Sequence, residues 1–479
     1  MAGRSRLHSV GADATATKGV RMSRWIDRWE PDDPGFWERT GRSVARRNLA
    51  FSILAEFVGF SVWLVWSVVA VNLNAAGFDL SVDQLFWLVS VPALVGATLR
   101  LPYGAAVALV GGRNFTIFSA AVLLVPTVGL AVAVQNPATP YWALLLCAAT
   151  AGLGGGNFAS SMANISHFYP ESRKGWALGL NAAGGNIGVS FVQLVVPAAI
   201  GLGVLGLGGA AAGGVSLAWA GWMWLPLIAA ATAGAWLFMD NLTVARSPLR
   251  EQARILGSRH TWVMSLLYVG TFGSFIGYSA ALPLLITVRF PGVEPLHFAF
   301  LGPLVGSLAR PAGGRLSDRL GGALVTVWTF AGMIVATLAL IASLRGGWGF
   351  PAFLAIFMAL FVLTGVGNGS TFRIIPSVFR REHLARVAGA GAEARARAEA
   401  GARRQAAAVL AFSSAVGAYG GFIIPKAFGT SISATGGPEA ALAGFLGLYA
   451  VCVATTWLVY MRAGARAGAP AVALAEGRV

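Results

Sequence analysis

Two arginines interrupt runs that are otherwise apolar: Arg100 in LVSVPALVGATLRLPYGAAVALV and Arg310 in FLGPLVGSLARPAGG. A guanidinium at the centre of a bilayer costs about 2.5 to 3.5 kcal/mol on insertion scales, so each residue requires a compensating partner. The ordinary partner is a carboxylate on a neighbouring helix. Of the 19 Asp and Glu residues only Glu56 falls within an apolar run, toward its N-terminal end and short of the depth expected for the arginines. At least one guanidinium is therefore left for a mobile anion, and its planar fork of N–H donors matches two coplanar oxygens of a small oxyanion. The competing reading ties both arginines to backbone carbonyls and Glu56. Phe60, Phe158, Tyr268 and Phe272 lie in other apolar runs, with Tyr268 and Phe272 on one helix face. Such aromatics ordinarily pack against lipid or core, and here they are candidate walls. Asn157, Asn181 and Asn186 add amides able to donate to an oxyanion or to bond across helices.

The elements that position these residues follow from composition. With 56% hydrophobic and 11% charged residues, the chain reverses the balance of a soluble protein. Spans of roughly 20 apolar residues suffice to cross a bilayer, and twelve such runs are expected, six within 48–239 and six within 261–461. The fold class is all-α membrane protein, with a cytoplasmic N-terminal segment 1–47, a linker 240–260 and a tail 462–479.

The two sets of six repeat one another in parallel order. Gly96, Arg100, Gly104, Gly111 and Gly112 match Gly306, Arg310, Gly314, Gly321 and Gly322 at an offset of 210. Gly154, Gly156 and Asn157 match Gly365, Gly367 and Asn368 at 211, and Gly185 and Gly188 match Gly417 and Gly420 at 232. The step from 211 to 232 marks a basic insertion of 21 residues within 380–405, expected as a solvated or headgroup-facing helix. Parallel repeats of this kind place a substrate site at their interface. The glycine-dense stretches Gly152–Gly156 and Gly184–Gly188 lie in no strand-turn-helix context, so they read as close helix contacts that permit sliding rather than as phosphate loops.

The net charge of +16 does not indicate nucleic acid. Lys and Arg concentrate in alternate loops, while the opposite loops hold only Arg289, Arg345 and Lys426, and the positive-inside rule then puts both termini in the cytoplasm. Cys147 and Cys452 fall inside spans, so no disulfide is expected. The five histidines form no metal-spacing cluster, and neither an enzyme nor a cofactor is expected.

GRLSDRLGG, from Gly314 to Gly322, resembles the cytoplasmic loop motif of the major facilitator superfamily. That resemblance implies that Asp318 and Arg319 latch the inner side; the first-half copy GAAVALVGG lacks both. GLGGGNFASSMANISHFYPESRKGWALGLNAAGGNIGVS, from Gly152, resembles the first signature of the nitrate/nitrite porter family, and GVGNGSTFRIIPSVF with AVGAYGGFIIPKAFG resembles its second-half counterpart. WEPDDPGFW, LRLPYG and MSLLYVGTFGSFIGYSA extend the likeness over nearly the whole chain. It implies a twelve-helix fold in two pseudo-symmetric halves, in a cell inner membrane. It further implies that Arg100 and Arg310 clamp one nitrate or nitrite between walls of Phe60, Phe158, Tyr268 and Phe272, and that Asn186 is the signature asparagine. Gly185, Gly188, Gly417 and Gly420 are the expected sliding contacts. The branch implied is nitrate/nitrite exchange, by a monomer. Glu56 departs from the neutral residue expected in that branch and is the candidate for proton coupling, so a proton-coupled nitrate symporter is the alternative. An anion channel is the alternative from another class.

Overall fold

A computed structural model describes residues 24–202, 216–245 and 254–462. The outer parts of the expected N-terminal segment and tail, and the middle of the linker, lie outside the described residues. Within them run twelve long helices: α1 (Pro34–Asn72), α2 (Val82–Val110), α3 (Gly112–Ala133), α4 (Tyr141–Phe168), α5 (Glu171–Gly201), α6 (Trp219–Phe238), α7 (Arg259–Arg289), α8 (Leu301–Leu320), α9 (Gly322–Gly346), α10 (Gly349–Ala385), α11 (Ala392–Thr435) and α12 (Glu439–Met461). Eleven are long and apolar enough to cross a membrane. The exception is α8, whose 20 residues include Arg310, Arg315, Asp318 and Arg319.

The repeat is structural as well as textual. In each half the second helix packs along the fourth, α2 on α4 and α8 on α10. The turns that follow α2 and α8 close through Gly111 and Gly321, both at φ 89°, a backbone region that disfavours a Cβ. Packing distances are short enough to exclude side chains at several crossings. A Cβ on Gly420 would lie 2.3 Å from the Cα of Gly273, where α11 crosses α7, and one on Gly154 would lie 2.1 Å from the carbonyl oxygen of Gly59, where α4 crosses α1.

The segments outside the membrane are more ordered than composition suggests. The first helix begins at Pro34 rather than at residue 48, with the Asp33 side chain capping it through Gly35 N–H. Ahead of it, strand β1 (Trp25–Ile26) pairs in parallel with β2 (Asn241–Leu242) in the linker, Trp25 opposite Asn241. Arg47 pairs with Asp240 at 2.6 Å, and the Trp29 indole donates to the carbonyl of His167. Trp29, Trp37, Leu49, Phe168, Tyr169 and Leu242 form a separate apolar cluster under this strap. The insertion 380–405 is an antiparallel helical hairpin rather than a single surface helix: α10 and α11 run on into it, turning at Gly389, with φ 85°. Arg380 to Glu399 at 2.8 Å and His383 to Gln405 at 2.6 Å join its arms.

The halves meet most closely on the side opposite the described chain ends. There Lys426 pairs with Asp83, Trp87 packs on Phe422, and Gln193 donates to the Ser279 carbonyl at 2.6 Å. Toward the other side, Gly179 on α5 and Gly314 on α8 have open space beside them, and the cross-half ion pair is the looser Arg403–Glu171 contact at 3.7 Å.

The glycine crossings give a direct test. Gly420→Ala should lower the thermal unfolding midpoint of the purified protein by several degrees, corresponding to about 1–3 kcal/mol of overpacking. Gly179→Ala should leave it unchanged or raise it, because alanine favours helix by about 1 kcal/mol where nothing is displaced. Tryptophan-fluorescence melting measures both, and equal losses would contradict the crossing geometry.

Candidate functional site

Arg100 lies midway along α2 and is 1% exposed. Its guanidinium is partly held: Nε donates to the Gly155 carbonyl at 3.1 Å, and Nη1 reaches across to the other half, donating to the Ser414 carbonyl of α11 at 2.7 Å. Nη2 is buried with no partner among the described residues. Four ring centroids surround Cζ, those of Phe158 at 4.8 Å, Phe272 at 5.1 Å, Trp63 at 5.4 Å and Phe60 at 5.9 Å. Ring faces attract a cation by about 0.5 to 2 kcal/mol each, which offsets desolvation while leaving donor capacity free.

Local structure makes this cage possible. Phe60 and Trp63 are three apart on α1 and therefore share a face. The Trp63 indole is pinned by donation to the Pro92 carbonyl at 2.8 Å. On the opposite wall α7 contains one π-helical turn, Val269–Gly273, which includes Phe272; such single turns recur at functional positions. Phe158 and Phe272 stack at 6.4 Å across the interface between halves.

Arg310 occupies the equivalent place on α8, is half-buried, and has a buried Nη1 without a partner among the described residues. Phe372 of α10 lies 5.5 Å from its Cζ. Tyr268, one turn from Phe272, turns its hydroxyl toward Arg310 without closing a hydrogen bond. Neither arginine takes part in any ion pair among the described residues. Carbonyls thus satisfy part of Arg100, as the competing reading has it, yet both arginines retain unanswered donors.

The structure thus brings Arg100, Phe60, Phe158 and Phe272 into one cage, with Tyr268 linking it to Arg310. Asn186 on α5 is buried with a free carbonyl oxygen, but it makes no hydrogen bond to either arginine. Glu56 is fully buried, one turn from Phe60, and pairs with no arginine among the described residues. One of its oxygens, Oε2, accepts from the Ser161 hydroxyl and from Asn181 Nδ2, the latter at 2.7 Å. The glycines sit at close crossings: Gly185 against Glu56, Gly188 against Phe57 and Ser61, Gly417 against Tyr268, Gly420 against Gly273. Asp318 pairs with Arg373 of α10 at 2.5 Å, inside its own half, and exposed Arg319 makes no ion pair among the described residues. Trp63, Phe372, Ser161 and the Ser414 carbonyl were not singled out in the sequence. Each of the first three lies three or four residues from a residue that was, so helical spacing was the available signal.

The Major Facilitator Superfamily pattern matches residues 51–398. The nitrate/nitrite transporter NarU of Escherichia coli is 45% identical over 456 residues, spanning 93% of this chain and 98% of that protein. The probable nitrate/nitrite antiporter NarK2 of Thermus thermophilus is 39% identical, spanning 92% of this chain and 97% of its own. Among solved structures, a bacterial homologue of the human lysosomal transporter Spinster, inward-facing and occupied, superposes with a TM-score of 0.58 over 86% of this chain and 95% of that one. At 16% identity that likeness concerns the fold alone.

If the two forks act as oxyanion clamps, Arg100→Lys and Arg310→Lys should each weaken binding of a planar monovalent anion by at least about tenfold, although charge is retained, because an ammonium offers no planar pair of donors. Calorimetric titration of folded, monodisperse variants measures this. Near-parental affinity in both would remove the clamp.

Proposed function

The chain belongs to the Major Facilitator Superfamily and, within it, to the family of the nitrate/nitrite transporters, and from that premise we propose that it exchanges nitrate for nitrite by alternating access. One anion is held between Arg100 and Arg310. The observation that carries this reading is a pair of arginines at equivalent positions in the two halves, Arg100 buried and Arg310 half-buried, each with a buried guanidinium nitrogen that no carboxylate answers among the described residues. Nitrate and nitrite are small, monovalent and planar, and match the fork. Phe60, Phe158, Tyr268 and Phe272 bound the space and exclude bulkier, strongly hydrated anions.

Exchange follows from electrostatics. With the site empty, closing the halves brings like charges together in a low-dielectric interior. An anion between them offsets that repulsion, so reorientation is favourable when the site is filled. Gly185, Gly188, Gly417 and Gly420 let the helices slide at their crossings, and Asn186 lies on the α5 segment that moves with them. Asp318, through Arg373, and Arg319 act at the membrane surface of the second half. The distribution of Lys and Arg supports a cytoplasmic location for both termini in a bacterial inner membrane. On that orientation the close contacts around Asp83 and Lys426 form the periplasmic side, and the conformation faces inward. Each half completes the site within one chain, consistent with a monomer.

Nitrate efflux from preloaded liposomes, with membrane potential clamped, should be slow into anion-free buffer and about tenfold faster when nitrite is outside. A channel gives no such acceleration. Equal rates under the two conditions would refute obligatory exchange.

A further inference from the structure

Among the described residues Glu56 is the one buried carboxylate close to the arginine pair, and the exchange cycle above makes no use of it. Two helices carry both the cage and the carboxylate cluster. On α1, Phe60 lies one turn beyond Glu56; on α4, Phe158 lies three residues before Ser161. The cluster is therefore about one helical rise of 5 Å from the cage. Ser161 and Asn181 both donate to Oε2, while Oε1 has no partner among the described residues and faces Gly185 of α5, where even a methyl group would come within 2.3 Å of it. Its charged neighbours are Arg100 on α2 and Arg310 on α8. From α4 it meets Ser161, with Asn157 and Met162 alongside, and from α5 Asn181 and Gly185. The helices α3 and α6 on its outer side bring only Arg113, bound at their far end to Asn114 and the Trp236 carbonyl.

We propose that Glu56 is a proton-binding site linked to the anion site: occupation of the arginine pair by one monovalent anion makes Glu56 take up a proton at Oε1, and protonation of Glu56 tightens anion binding. The proposal rests on the anion-site reading and deepens it. The physical cause is charge. Burial works against an ionised Glu56 and the two arginines work in its favour, and a bound anion cancels about one of those two positive charges. Binding of anion and proton is then mutually favourable, and linkage makes the effect reciprocal. Glu56 lies in the first half with Arg100, so the repulsion between the arginines across the halves is relieved by the anion between them, and the proton taken up by Glu56 balances the charge that the anion brings. Exchange of one such anion for another moves no net proton, because each anion enters and leaves the site together with one, whereas net movement of an anion without a counter-anion carries the proton with it.

The test uses the full chain in lipid nanodiscs, with nitrate affinity measured by calorimetry from mildly acidic to mildly alkaline pH. The parent should bind nitrate more weakly as pH rises, by up to about tenfold per pH unit for one linked proton. Glu56→Gln should bind with no pH dependence, near the parent's acid-side affinity. In weakly buffered solution, nitrate addition should withdraw protons from the medium with the parent and not with Glu56→Gln. If that variant fails to fold, Glu56→Asp should keep the slope with a displaced midpoint, and an unmoved midpoint would assign the proton elsewhere. A flat profile in the parent, or an unchanged slope in Glu56→Gln, overturns the linkage; uniformly weaker binding with the parent's slope would mark Glu56 as a purely structural acceptor. Absence of nitrate and nitrite binding at every pH overturns the anion-site reading, and the linkage with it.

Discussion

Positive charge held away from water without a fixed negative partner organises this protein. Water is replaced around Arg100 by four ring faces and two backbone carbonyls, none of which brings a full negative charge, so the electrostatic demand of the guanidinium is lowered and not met. A salt bridge there would have been self-sufficient and inert, because a carboxylate within reach would compete with any mobile anion. The displacement of Glu56 by one turn, with its hydrogen bonds directed to Ser161 and Asn181, keeps a negative group near enough to act through space and too engaged to close on either arginine. The Arg100 contact to the Ser414 carbonyl also ties the charge to the opposite half, so the surroundings of that charge depend on how the two halves sit.

The repeat supplies two arginines at equivalent depth, but the halves are finished differently. Gly111 and Gly321 make the same left-handed turn, while the charged pair Asp318–Arg373 exists only in the second half. In the first half, where GAAVALVGG has no Asp or Arg, the equivalent end is secured by the strap: β1 on β2, Arg47 on Asp240, and Asn241 accepting from the backbone N–H groups of Arg113 and Asn114. Asp32 of the strap also accepts from the backbone N–H of Glu171, the residue that meets Arg403 of the second-half hairpin. The parts of the chain outside the spans therefore converge on the start of α5, a helix that must shift if the halves rock.

Much of this is legible in the sequence. Composition and run length establish a membrane-spanning all-α chain, because hydrocarbon leaves the backbone no other way to satisfy its polar groups. The parallel repeat follows from constant glycine and arginine offsets, and the anion reading follows from counting carboxylates. Positions near one another in sequence were also within reach, since helical spacing puts Trp63 beside Phe60 and Ser161 beside Phe158. Tertiary structure alone decided what depends on crossings between distant helices: that Phe158 and Phe272 face each other across the halves, that a carbonyl on α11 accepts a hydrogen bond from Arg100, and that Glu56 accepts its hydrogen bonds from α4 and α5. It also joined the N-terminal segment and the linker into a strap and folded the basic insertion into a hairpin, because pairing Trp25 with Asn241, or Arg380 with Glu399, depends on segments brought together by packing elsewhere. A sequence records which groups exist and their spacing along one helix; which groups meet between helices is set by how the close-packed glycine crossings let those helices lie.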